Sequence, residues 1–371
     1  MIGRLRFLIG ILITVSCWIS LPTWGQAPCE FMMPVSTIES AQFSFAYWHH
    51  DDGTTPGIDA SAGQLAAKLD RIYDSPLFGY TMSFSTAIEL DTLLAQSWVG
   101  SGSMSYRYYI SEELPIFVYA GTRLDAATYQ VQPGCELRSG IGIGRLRDVT
   151  PLAKTQRIIT LLQDERAITR SPSSQAILEI AETVARVESY EQFEEYVADV
   201  ATAIESKVGA TLDPASVLTV RAELERGDDK RYCGAILQGG VGYELIDPYD
   251  GLQDVLYVMS GDVAHSPTAN SQLRCRMSWS GAGSDFLGEN TSALDFTYTA
   301  DLRDSNAVTA SYGVKRVASA ALAARTTQTA TVEYALAMGR TDLLFSLALS
   351  KKTGDQDWTI DVSVSFALDL L

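Results

Sequence analysis

The sequence predicts a mainly β chain: an antiparallel transmembrane β-barrel of about 12 strands, with an inserted α-helical module. Three observations carry this. Trp358 to Leu370 alternates without a break, with Trp358, Ile360, Val362, Val364, Phe366, Leu368 and Leu370 on one face and Thr359, Asp361, Ser363, Ser365, Ala367 and Asp369 on the other. A tilted membrane-spanning strand needs only about 9–11 residues. The same alternation recurs along much of the chain. No stretch of about 18 or more uninterrupted apolar residues offers a helical span, and a closed barrel is the other way to keep every backbone group paired in lipid.

Residues 1–25 read as a secretory signal peptide. Arg4 and Arg6 precede a short apolar core from Phe7 to Ile19, and small or polar residues follow, with cleavage expected near Gly25–Gln26. Residues 26–78 read as an N-terminal segment in the periplasm or at the barrel rim. Within it, 42–50 looks like a strand, because Phe43, Phe45 and Tyr47 alternate with Gln42, Ser44 and Ala46. The span 64–73 looks like a short helix with Leu65, Leu69 and Ile72 as its stripe.

Residues 79–147 form the first part of the barrel, with strands at 79–90, 97–110, 115–130 and 135–147. Residues 231–371 form the second part, with strands at 232–247, 252–261, 271–281, 291–302, 306–321, 328–338, 343–352 and 357–370. The segment 252–261 has the weakest pattern. The faces agree between strands. Tyr80, Met82 and Phe84 oppose Ser83, Ser85 and Glu89; Met104, Tyr106 and Tyr108 oppose Ser103, Ser105 and Arg107; Phe296 and Tyr298 oppose Asp295 and Thr297. Short turns at 303–306 and 339–342 alternate with longer polar loops at 281–290 and 351–356, as short periplasmic turns and longer external loops do.

Residues 148–230 break the rhythm and read helical. Thr150-Pro151 and Asp213-Pro214 each place a capping residue before a proline. A long middle helix runs over 173–208, with a stripe of Ile177, Ile180, Val184 and Val187 that shifts register at Tyr190. Val217, Leu218 and Leu224 are the expected buried face of the last helix. Strand parity puts this insert on the periplasmic side.

Composition narrows the partners. The formal charge is −17, and removing Arg4 and Arg6 leaves −19. That disfavours nucleic acid and anionic surfaces. Cys29, Cys135, Cys233 and Cys275 follow the leader, without zinc-type spacing or a CxxC pair. They fit two disulfides or small apolar strand residues equally.

The alternating strands, the leader and the amphipathic last strand resemble bacterial outer-membrane β-barrel proteins over residues 79–147 and 232–371. The resemblance is architectural and porin-like. It implies an outer-membrane location and a lipid-bilayer partner. The end departs from the usual pattern: such barrels commonly finish on an aromatic residue, whereas Leu370-Leu371 stands here.

No residues make a catalytic constellation. His49-His50-Asp51-Asp52 is the densest set of metal-ligand types, but neighbouring strand residues point apart, and no metal or cofactor is expected. No GxSxG elbow is present, and His265 precedes Ser266-Pro267 in an expected turn. Gly140-Ile141-Gly142-Ile143-Gly144 lacks phosphate-loop spacing and marks close approach, a kink or a narrow wall. The middle helix is acidic (Glu179, Glu182, Glu188, Glu191, Glu194, Glu195, Asp199, Glu205), which is a solvated face or a docking surface for a basic partner of helices 150–226. The lumen-lining candidates are Glu89, Arg107, Arg274, Arg276, Asp295, Asp301, Glu333, Asp361 and Asp369. In a narrow barrel such charges pair and plug the interior; in a wide one they line water. The expected function is a non-enzymatic channel or export component for a polar solute. A plugged anchoring protein and an exported soluble β-rich protein are the alternatives.

Overall fold

Period-two alternation resolves into a continuous antiparallel ring. The computed structural model describes residues 31, 33, 35–50, 60–91, 94–112, 114–226, 230–251, 253–286, 288–302, 306–318, 324–338, 341–355 and 357–369. The strands are β1 Ser36–His50, β2 Ala60–Asp74, β3 Phe78–Asp91, β4 Leu94–Tyr109, β5 Ile116–Ala127, β6 Gly134–Asp148, β7 Tyr232–Ile246, β8 Val255–Thr268, β9 Ser271–Ala282, β10 Asn290–Asp301, β11 Ala307–Ala318, β12 Arg325–Met338, β13 Thr341–Lys352 and β14 Thr359–Asp369. Each pairs with its sequence neighbours. Gln42, Phe43, Ser44 and Phe45 of β1 face Asp369, Leu368, Ala367 and Phe366 of β14, so the described strands form a closed barrel of fourteen.

Contacts between strands that are not ring neighbours must run through the interior, and they identify the inner face. Asp74 on β2 accepts a hydrogen bond from Tyr109 on β4 at 2.8 Å, and Arg145 on β6 lies 3.7 Å from Asp74. Register carries that face round the ring. Asp74 sits opposite Gly79, Gly79 opposite Arg107, and Arg107 opposite Tyr119. Further round, Asp262 sits opposite Arg276, Arg276 opposite Asp295, and Thr309 opposite Glu333.

The outer face is apolar and open. Phe345, Leu347 and Val362 are 43%, 43% and 77% exposed, so no second sheet covers them. Outward charges on the described strands, the tail of β6 aside, are Glu39, Arg71, Arg316 and Lys351, all within four residues of a strand end. On a lipid face an Arg or Lys costs about 2–4 kcal/mol at mid-membrane but only about 0–1 near the interfaces. Aromatics collect towards the ends as well. Tyr73, Phe78, Tyr80 and Tyr106 form one outward cluster with ring centroids 5.3–6.2 Å apart, and Tyr257, Trp279 and Phe286 form another at the opposite end. These are the positions of interfacial girdles.

Fourteen strands replace the expected twelve, because the wall begins at Ser36. The expected helix over 64–73 is β2. Leu65, Leu69 and Ile72 fit a helical stripe, but the intervening alanines suit either period, and two antiparallel partners, β1 and β3, settle the strand. The strand at 42–50 joins the wall as β1 and closes the ring. The weak segment 252–261 is β8, and it extends through His265, which is paired with Leu273 and not in a turn. The leader and Cys29, Asp51 and Asp52 lie outside the described residues.

Four helices follow β6: α1 Thr150–Asp164, α2 Ser174–Val184, α3 Phe193–Val208 and α4 Pro214–Glu225. They share a core of Ile158, Leu162, Ile180, Val200, Ile204 and Val220. Ser173 and Asp213 cap α2 and α4 by accepting from the Ala176 and Ser216 amides. The expected Thr150 cap is displaced to Val149, because the Thr150 hydroxyl instead accepts from the Arg231 amide. The long middle helix is broken at Val187–Ser189, which makes a 3₁₀ turn and leaves Val187 exposed. Leu218 is exposed as well, since the face of α4 meeting the core carries Val220 and Leu224. Burial pushes the Tyr196 phenol up to about 12, and its hydroxyl donates to the Val184 carbonyl.

The module sits at the barrel end where β1 starts and β14 finishes, here called the near end. Phe31 and Met33 pack beside Val149, Leu152, Ala181 and Cys233. Cys233 is disulfide-bonded, whereas Cys135 and Cys275 are free thiols, so the four expected cysteines do not make two bridges. Under denaturing, non-reducing conditions, alkylation followed by peptide mass mapping is expected to mark Cys135 and Cys275 and to spare Cys233 until reduction. A Leu347→Arg substitution at mid-strand on the outer face is expected to destabilise the barrel by about 2–4 kcal/mol in denaturant titrations in vesicles, and Arg71→Ala by under about 1 kcal/mol.

Candidate functional site

The interior divides into a packed near mouth and an open, charged remainder. The packed part begins with glycines. On β6, Gly140, Gly142 and Gly144 point inward. A Cβ on Gly142 would lie 2.3 Å from the Phe117 ring, so its absence lets Phe117 fold flat against the wall. Gly144 and Gly234 adopt φ of +105° and +125° on adjacent, paired strands, and each bends its strand where an L side chain would be strained.

Beyond this bend the end of β6 parts from β5 and stays paired only with β7. The Asp148 amide donates to Ser36 Oγ of β1 at 3.2 Å. Five strand steps separate β6 from β1, about 24 Å along the sheet at roughly 4.8 Å each. The Arg145 guanidinium donates to the Ser75 and Pro76 carbonyls of the β2–β3 turn. Such contacts require the hairpin tail to cross the mouth.

The tail lands on a buried core. Leu146 and Ile236 pack with Tyr109, Phe117, Tyr119 and Ala264, all inward-facing. Tyr109 and Phe117 meet edge to face at 5.4 Å, and the Arg145 guanidinium lies over the Tyr109 ring at 3.7 Å. Asp74 is the shared anion. It accepts from Tyr109 and faces Arg145 at 3.7 Å and Arg107 at 3.9 Å. Asp74 and Arg107 are 6% and 5% exposed at their side chains, so neither charge has water to replace its partner.

A second buried network ties the module to the rim. Asp301, at the end of β10, pairs with Arg231 and lies 3.8 Å from Arg157 of α1. Arg157 also pairs with Glu223 of α4 and donates to the Ala269 carbonyl in the β8–β9 turn. Arg226 donates to the Leu302 carbonyl. Charge-assisted bonds to turn carbonyls hold the helices against the barrel.

The nine sequence candidates all fall on the inner face by register, but they do different things. Arg107 belongs to the packed mouth and Asp301 to the rim network. Arg274 pairs with Asp262 and stacks over Tyr232, and Glu89 accepts from Ser97. Glu333 is half-buried. Arg276, Asp295 and Asp361 are exposed within the ring. Asp369 is opposite Gln42 on the inner register, and its side chain lies outside the described residues. Arg123, Arg276 and Lys315 have no ion-pair partner among the described residues. At the far end a cavity of about 320 Å³ is lined by Arg123, Asp125, Glu136, Glu244, Glu289 and Asn290, among others. No group of His, Cys, Asp and Glu suited to a metal ion occurs among the described residues.

Sequence reasoning missed Asp74, Tyr109, Phe117, Arg145 and Arg231. The glycine run on β6 was the available signal, since it marks the place where the wall gives way.

Neither a family model nor a curated protein matches the chain. Solved structures that resemble it include the CymD monoaromatic hydrocarbon channel (11% identity, covering 91% of this chain and 89% of that one, TM-score 0.33). Others are a BenF-like porin from Pseudomonas fluorescens Pf-5 (9% identity, 92% and 100%, TM-score 0.34) and Pseudomonas aeruginosa OpdK with vanillate (9%, 92% and 99%, TM-score 0.34). These likenesses are distant, and the fold rests on the strand pairing itself.

Removing Asp301 is expected to take the carboxylate away from buried Arg231, while Arg157 keeps Glu223. Asp301→Ala is expected to cost about 3–5 kcal/mol and to make the helices sensitive to limited proteolysis; Asp361→Ala, at an exposed site, is expected to leave the digestion pattern unchanged.

Proposed function

We propose that this chain is a non-enzymatic outer-membrane β-barrel channel for polar solutes, with residues 1–25 as its export signal and residues 148–230 as a periplasmic helical module. The observation that carries the reading is the exposed charge inside the ring. Arg123, Arg276 and Lys315 face a space ringed by wall strands, without an ion-pair partner among the described residues. An ionised group in such a place needs water, because burying it unpaired costs many kcal/mol. A water-filled interior behind an apolar outer wall is a conduit for solutes that lipid excludes.

The mixture of signs suits small polar or charged solutes over hydrocarbon. The module would serve the pore by biasing its near mouth. The occupied mouth also favours a second reading, a plugged barrel that anchors the helices for an envelope partner. Pull-down with the helical segment, which has a core of its own, separates the two. The uncovered apolar wall argues against an exported soluble protein, and fractionation of the membrane pellet without detergent checks that.

Refolded protein, shown to be a closed barrel by heat-modifiable gel mobility, is expected to carry ionic current in planar bilayers. Measurements with and without residues 150–228 test the pore itself: silence in both forms would reject it. Arg276→Glu is expected to shift the reversal potential towards cation preference in a salt gradient.

A further inference from the structure

We propose that the bent β6–β7 tail is the gate of this barrel, latched shut by Arg145 and lifted together with the helical module as one lever. The proposal rests on the channel reading and deepens it by naming the part that opens.

The geometry has a hinge, a latch and a handle. Gly144 and Gly234 form the hinge. They lie two residues apart in register on paired strands, both at positive φ, where a Cβ would meet the Ala235 carbonyl oxygen at 1.9 Å and the Arg145 carbonyl oxygen at 2.2 Å. Strand pairing continues past them to Asp148 and Tyr232, so the tail is a two-stranded piece, held on its β7 side where the Tyr232 amide donates to Gln272 and Ser266 donates to the Tyr232 carbonyl.

The latch is Arg145. Its guanidinium covers the Tyr109 ring, faces Asp74 and donates to two carbonyls of the β2–β3 turn. These partners belong to β4, to the end of β2 and to the β2–β3 turn, two to four strands round the ring from β6, so each contact opposes opening. Tyr109 and Arg107 hold Asp74 in place when the tail leaves. A buried anion with a remaining cation and hydroxyl is a seat that persists in the open state.

The handle is the helical module. Val149 follows the tail directly, its amide donates to the Arg231 carbonyl, and the Arg231 amide donates to Thr150 Oγ1. The base of the module is thus clamped to both strands of the tail. The Asp301 network holds the same module to the rim, which adds a second restraint on the far side of the lever.

Single-channel recording on the full chain tests this. Wild type is expected to stay mostly closed. Arg145→Ala and Asp74→Asn are expected to raise the open probability about tenfold, as removal of roughly 1.4 kcal/mol of closed-state preference would, with the conductance of the open level unchanged. Asp74→Asn keeps the side-chain shape, so it reports charge if Arg145→Ala folds poorly; heat-modifiable mobility checks both. Amide hydrogen exchange over 145–148 and 231–234 gives an independent reading and is expected to quicken in both variants. A steady wild-type current that neither substitution changes, with unchanged exchange, would overturn the gate and leave the channel. Silence of every variant despite quickened exchange would overturn the channel reading, and the gate with it.

Discussion

Closure of the ring between β1 and β14 is the constraint on which the rest depends. Lipid offers no partner to a free backbone amide or carbonyl, so an open sheet edge in the membrane leaves a row of groups each several kcal/mol out of balance. Among the described residues the closing seam has four paired positions on β1, against fifteen between β1 and β2. Closing there makes one face of every strand an outer wall and the other an inner one. Everything chemical in the molecule follows from which face a residue is on.

A ring of fourteen strands encloses more space than its wall side chains fill. This chain fills part of that space with its own wall. The glycines at 144 and 234 let the end of β6 part from β5, and the aromatic residues Tyr109, Phe117 and Tyr119 form the floor it settles on. Charges at the same level are paired and dry. Charges elsewhere on the inner face, such as Arg276 and Asp295, remain exposed. The contrast between paired-and-buried and exposed charge occurs within one barrel interior, at different levels along its axis.

The helical insert also has a position that its sequence alone does not explain. Its core is self-contained, and its links to the barrel combine a small apolar contact, where Leu152 and Ala181 meet Cys233, with Arg157, Arg226 and Arg231 reaching Asp301 and turn carbonyls. Buried ion pairs of this kind contribute little net stability against their desolvation, but losing one partner is costly. They are better suited to setting where the module sits than to holding it with great strength.

Local pattern determined most of the strands and the helices with their Ser173 and Asp213 caps, because period-two and period-3.6 spacing are properties of neighbouring residues. The N-terminal strands escaped that reading because alanines at 62, 66 and 67 dilute the alternation and leave Leu65, Leu69 and Ile72 looking helical; only β1 and β3 on either side decide the matter. Strand number, ring closure, the inward bend of the β6–β7 tail and the meeting of Asp74 with Tyr109 and Arg145 were decided by tertiary structure. Those depend on residues far apart in sequence being brought together by register, and no short-range spacing encodes a contact across the barrel mouth.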